Sequence, residues 1–162
     1  MASPILRQLD PDRFGYREAQ NLLSRAGFGG TPRQIVELQA MGLERAVDYL
    51  VDYEQVDAGY LDSPDADPDI IRPLTPAERR TLAEARRTRN EAVLSKFQAM
   101  RNARKAEDRV QLRDLQSWWL GRIIATPRPL EEKLVLLWHG HFTSGHRDVE
   151  DSYLLLQQNR LF

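Results

Sequence analysis

Between Pro76 and Gly121 the chain contains neither glycine nor proline, and such a stretch has little to fold into other than helix. Leu82, Ala85, Val93, Phe97, Met100, Ala103, Val110, Leu115 and Trp118 fall within about 140° of one another at about 100° per residue, a single apolar stripe. One continuous helix at ~1.5 Å per residue would be ~70 Å long, well beyond the ~40 Å width of a compact domain of this size. It must therefore project, pair with a partner or break. The stripe holds only alanines around Arg101, Asn102 and Arg104, so this is the expected break, and it would give a helical hairpin. Thr75, Pro76, Ala77 and Glu78 supply the start, as a capping box with proline in the first turn.

The remaining periodicity is also helical, and no segment alternates apolar and polar residues as a half-buried strand does. The expected fold is all-α, a multi-helix bundle with one long charged amphipathic helix or helical hairpin. A first helix over about 16–25 turns Ala19, Leu22, Leu23 and Ala26 inward and stops at Gly27. Thr31 and Pro32 open a second, which buries Ile35, Val36 and Leu38 and ends at Gly42. A third carries Leu43, Ala46, Val47, Leu50 and Val51 inward. Past Thr126 and Pro127, Leu130, Leu134, Leu137, Trp138 and His141 share one helical face, with Glu131 and Glu132 solvated near its positive end. After a turn at Thr143 to Gly145, a last pattern through Val149, Tyr153, Leu154, Leu156 and Leu161 runs to Phe162 without a cap. These readings divide the chain into a helical head (1–53), an acidic loop (54–74), a long basic helix or hairpin (75–125) and a C-terminal helix pair (126–162), which reads as truncated.

The acidic loop follows from charge. Eight acids and no base lie between Asp48 and Ile71, whereas twelve bases and six acids lie between Arg72 and Asp114. Opposite blocks that adjoin in sequence attract, so the loop is expected to lie against the basic helix. Residues 54–73 have too few apolar groups to offset the entropy of ordering and read as a mobile linker. The arginines could track phosphates, but Phe97 is the one aromatic among them and the chain as a whole carries a formal charge of −1, so nucleic acid is not the expected partner.

Composition closes several routes to chemistry. With no cysteine among 162 residues, disulfides, thiolate metal sites and a cysteine nucleophile are excluded. No apolar run approaches the ~18 residues of a membrane span. The N-terminal MASPILRQLDPDRFG has no signal-peptide pattern, which points to the cytoplasm. Gly27, Gly29 and Gly30 resemble a phosphate loop only superficially, since no strand precedes them and no lysine follows Gly30. None of the serines stands in a nucleophile-elbow context, so no hydrolytic triad is expected.

The unusual feature is WHGHFTSGH, which holds all three histidines, His139, His141 and His146, followed by Asp148, Glu150 and Asp151. Imidazoles and carboxylates are zinc ligands, and a three-histidine site with an open position activates water. A metal-assisted hydrolase using His139, His141 and His146 is therefore the alternative reading. Against it, side chains two apart on a helix point about 200° apart and cannot meet at one ion. No metal and no other cofactor is expected, and the histidines are read as capping helix ends.

LLSRAGFGGTP at Leu22–Pro32, GLERAVDYLV at Gly42–Val51, LQSWWLGRIIATPRPLEEKLVLLWHGHFTS at Leu115–Ser144 and QNRLF at Gln158–Phe162 together resemble the bacterial domain of unknown function 1800 (DUF1800) family. The stretch 54–114 resembles no motif of that family and looks like a variable insertion. The resemblance implies a mainly helical protein of several hundred residues, found in bacteria with many exported proteins, which makes export the alternative to the cytoplasm, and no established activity. Family members continue past the QNxLF segment, so this sequence reads as the N-terminal portion of such a protein. Carried over residue by residue, the motif singles out Arg25, Gly27, Phe28, Gly29, Trp118, Trp119, Trp138, His139, His141, Phe142, Gln158 and Asn159. The expected role is a binding or scaffold module, with Arg25, Trp138, His139, His141, Phe142, His146 and Asn159 as candidate binding residues. The expected partner is the remainder of the same protein or another protein.

Overall fold

Thr31 sets the pattern of the N-terminal helices, because its hydroxyl accepts from the Gln34 N–H at 3.3 Å while the Gln34 carboxamide accepts from the Thr31 N–H at 2.8 Å. That reciprocal cap, with Pro32 at the first position, starts α2 (Pro32–Met41). In this computed structural model, which describes residues 9–59, 62–142 and 144–162, α2 follows α1 (Tyr16–Ala26) and precedes α3 (Leu43–Val51). Further along the chain lie α4 (Pro76–Arg87), α5 (Glu91–Ala125), α6 (Pro129–His141), α7 (His146–Val149) and α8 (Ser152–Leu161). There is no strand among the described residues, so the fold is all-α. No helix among them is long and apolar enough to cross a membrane. The signal-peptide reading of residues 1–8 and the part of the last turn at Thr143 lie outside the described residues.

The chain forms two compact units. The first combines the described chain up to residue 59 with Gly121–His141. Its core is Ala19, Leu23, Ile35, Leu38, Ala46 and Leu50, with Phe14, Leu22, Ala26, Met41 and Tyr49 packed around them. Each buried Leu or Ile there contributes about 1.5–3 kcal/mol of transfer free energy. Val36 and Val51, expected inside, are 53% and 56% exposed. Both sit at the margin of their helical stripes, and the narrower set at spacings of three and four fills the space available.

The second unit comprises Asp62–Leu120 and Phe142–Phe162, so the two C-terminal segments expected to pair fall in different units. The long Gly/Pro-free stretch does break, but at residues 88–90 and not at Arg101–Arg104. Arg89 takes a left-handed conformation (φ 52°), and the Asn90 side chain accepts from the Val93 N–H at 3.3 Å to restart the helix. A cap-forming Asn and an unfavourable φ thus mark the corner, whereas Ala99, Ala103 and Ala106 are good helix formers and continue α5.

Segment 62–75 carries no helix, yet it is held in place. Ile70 is buried, the Asp67 N–H donates to Gln111 Oε1 at 2.7 Å, and Arg104 donates to the Arg72 carbonyl at 3.2 Å. The expected attraction between acidic loop and basic helix takes another form: among the described residues none of the eight acids from Asp48 to Asp69 makes an ion pair. Main-chain groups of the loop, bonded by the Gln111 and Arg104 side chains, hold it to α5.

Candidate functional site

Three places gather polar or motif residues. The first, in the N-terminal unit, is the RAGFGG turn. Gly27 ends α1 with its N–H on the Leu23 carbonyl. A Cβ at Gly27 would come within 2.6 Å of the Pro129 Cβ, and one at Gly30 within 2.1 Å of Leu23 Cδ2. These glycines are there for close approach and not for phosphate. Lys133 of α6 donates to the carbonyls of Ser24 (3.0 Å) and Gly27 (2.6 Å) and lies 5.8 Å from the Phe28 ring centroid, so a cation caps the negative end of α1. Phe28, Gly30, Thr31, Tyr49, Ile123 and Pro127 help line an open groove of about 310 Å³. The Tyr49 hydroxyl donates to the Pro127 carbonyl at 3.0 Å, and burial, then Glu37, raises its pKa. Arg25 lies exposed on the last turn of α1.

The second place is the end of α6. Glu132, expected in solvent, is 1% exposed and bonds Arg122. Arg122 also lies 3.8 Å from Glu131, which is 3.7 Å from Arg128, and Arg128 donates to the Val56 carbonyl at 2.6 Å. Burial of Glu132 and Val135 turns α6 so that Leu136, Leu137 and Trp138 are 44%, 58% and 39% exposed. This corrects the expected inward face: a buried carboxylate must reach its guanidinium partner, and that requirement overrides the apolar stripe. The helix continues through His141, so His139 and His141 stand two positions apart on one coil and diverge by about 200°. Trp138 and His141 meet edge to face at 5.9 Å. Burial lowers the pKa of His139.

The third place lies in the second unit and includes His146. Its Nε2 is 2.6 Å from Asp108 Oδ2. Asp108 Oδ1 accepts from the Ser152 N–H at 2.8 Å and the Ser152 hydroxyl at 2.7 Å, and Gln111 Nε2 donates to Ser152 Oγ at 2.9 Å. Burial pushes the Asp108 carboxyl up, but the donors from His146 and Ser152 bring it net below the usual aspartate value. Ser, His and Asp meet here in the wrong order for hydrolysis. The serine hydroxyl donates its hydrogen bond to the carboxylate and not to the imidazole, and Ser152 is fully buried, so the imidazole is not placed to take its proton and no substrate reaches it. The cluster anchors the starts of α7 and α8 to the middle of α5.

Glu150 ends α7 in the left-handed region (φ 51°) with Lys105 Nζ 2.8 Å from both its oxygens. Asp151 caps α8 by accepting from the Leu154 N–H at 3.2 Å. Phe142 stacks on Phe162 at 5.9 Å, and its carbonyl accepts from Gln158 Nε2 at 3.3 Å. Asn159 is half-buried on α8, as are Trp118 and Trp119 on α5. No group of three His, Asp or Glu among the described residues is placed to hold a metal ion. Of the trio needed by the hydrolase alternative, His139 and His141 diverge on one helix and Asp108 engages His146.

Asp108, Ser152, Gln111, Glu132, Arg122 and Lys133 escaped the sequence reading. One signal was present for Asp108, which precedes Leu115 by seven positions and so lies about 20° from it on the inward stripe. A carboxylate in phase with a core leucine demands a buried partner.

A family model described as a protein of unknown function, DUF1800, matches residues 21–162. Comparison with curated proteins and with solved structures returned no match.

Proposed function

Because this chain belongs to the DUF1800 family, whose description assigns no activity, we propose a role from its own surfaces: a helical binding module that docks an apolar segment of polypeptide on α6. One observation carries this reading. Leu134 to Trp138 are five successive apolar residues, so this stretch of α6 is apolar on every side, yet only Val135 of the five is buried. A helix apolar all round belongs in an interior, and contiguous exposed apolar side chains mark sites of association. The Arg122–Glu132 pair fixes which side turns outward and so presents a rigid face. Trp138 and His141 extend that face with an aromatic pair, the residue type favoured where partners anchor.

Sedimentation velocity at about 1 M salt, where the Debye length is about 3 Å and charge contacts are screened, tests the reading. The protein should associate with increasing concentration and brighten an apolar dye such as anilinonaphthalene sulfonate, and Leu136→Glu/Leu137→Glu should abolish both. A protein that stays monomeric and leaves the dye dark overturns it.

A further inference from the structure

The acids of the loop and the arginines of α4 do not neutralise one another within the chain, and within the second unit an acidic groove and an arginine face carry opposite charges at the same spacing. An open groove of about 340 Å³ runs between residues 64–70 and α5. Its floor is apolar: Ile70 and Leu115 are buried and Val110 is 47% exposed. Its rim carries Asp65, Asp67, Glu107 and Asp114. Among the described residues none of these four makes an ion pair. Gln111 braces the two walls, accepting from the Asp67 N–H at 2.7 Å and donating to its carbonyl at 3.3 Å. Nearby cations are turned elsewhere, Arg109 to the Lys105 carbonyl and Arg72 to Glu78.

The complementary surface is α4. Ala85 is its buried residue, and at about 100° per residue Arg79, Arg80, Arg86 and Arg87 fall on the opposite side around exposed Ala83. Arg87 pairs with Glu84, and Arg79 donates to its own Leu74 carbonyl. Arg80 and Arg86 make no ion pair among the described residues. Glu107 and Asp114 are seven positions apart, ~10.5 Å along the helix, and so are Arg79 and Arg86. Half-exposed Val110 stands between the acids, and the small Ala83 stands between the arginines.

We propose that the arginine face of α4 in one molecule docks into the acidic groove of a second copy of this chain, with Val110 seated against Ala83. In a two-fold dimer the exchange is reciprocal and every pairing is made twice. Single exposed ion pairs contribute little, so the docking draws on several pairs closing together over an apolar floor, with the arginine stems lying along it.

The test uses the whole chain carrying Leu137→Glu, so that association through α6 does not contribute. At an ionic strength of about 0.01 M, where the Debye length is about 30 Å, sedimentation velocity should show a dimer, and at about 1 M a monomer. Glu107→Arg/Asp114→Arg and Arg79→Glu/Arg86→Glu should each be monomeric alone at low salt, and their equimolar mixture should recover the dimer. Circular dichroism checks that each remains helical. Should a reversal unfold the protein, the neutral pair Glu107→Gln/Asp114→Asn replaces it and should weaken association at least tenfold. A monomer at low salt, a mixture that stays monomeric, or a dimer indifferent to these substitutions overturns the proposal.

Discussion

Asp108 Oδ1 accepts both the main-chain N–H and the hydroxyl of Ser152, at 2.8 and 2.7 Å, forty-four residues away along the chain. The first turn of α8 is therefore tied to the middle of α5 through one buried oxygen, while the other oxygen holds His146. Replacing Asp108 by Asn puts an amide among donors and leaves at least one of them unmet, at a cost of about 1–3 kcal/mol for each buried orphan. Ser152→Ala keeps the main-chain bond and should cost about 1 kcal/mol. Urea denaturation followed by circular dichroism distinguishes the two, and equal losses would contradict this account of the cluster.

The cap of α4 is acid-labile in a defined window. The Arg72 guanidinium, then the Thr75 N–H, hold the Glu78 carboxyl at about 2, down from its ordinary value of 4.5. A carboxylate depressed by folding contributes stability that is fully present above 4.5 and is lost as pH falls through about 2. Helical signal should decline across that interval. Glu78→Gln should flatten the decline, because glutamine completes the capping box without titrating.

At the RAGFGG turn, an added methyl meets two different neighbours. Gly27→Ala drives a Cβ to 2.6 Å from the Pro129 ring, whereas Gly30→Ala meets the end of the Leu23 side chain. Overpacking costs about 1–3 kcal/mol. Proline has no rotamer to yield and Leu23 does, so thermal unfolding should show the larger loss for Gly27→Ala.

His139 should titrate below 6.5, since burial disfavours its imidazolium. A folded pKa lowered in this way contributes stability that is present above 6.5 and is lost as pH falls through the lowered value. Proton NMR of the imidazole Hε1 reads the midpoint directly, and a value at or above 6.5 would contradict the burial described.

The local grammar of this protein is written in its sequence. Thr31-Pro32 and Thr75-Pro76 open helices, Gly27 and Gly42 bound them, and Ala19, Leu23, Ile35, Leu38, Ala46 and Leu50 line up inward at spacings of three and four. Each of these signals acts within a turn or two, through a hydrogen bond, a φ preference or a helical period, so neighbouring residues suffice to read it. Family membership was legible for the same reason, as short motifs around the turns.

Tertiary structure alone decided which way α6 faces and where α7 and α8 are anchored. The first depends on Glu132 finding Arg122 ten residues earlier, and the second on Asp108 receiving donors thirty-eight and forty-four residues later. A buried carboxylate is tolerable only when donors arrive from elsewhere in the chain. Which donors satisfy such a residue is therefore a property of the assembled fold, which the periodicity of its own helix does not supply.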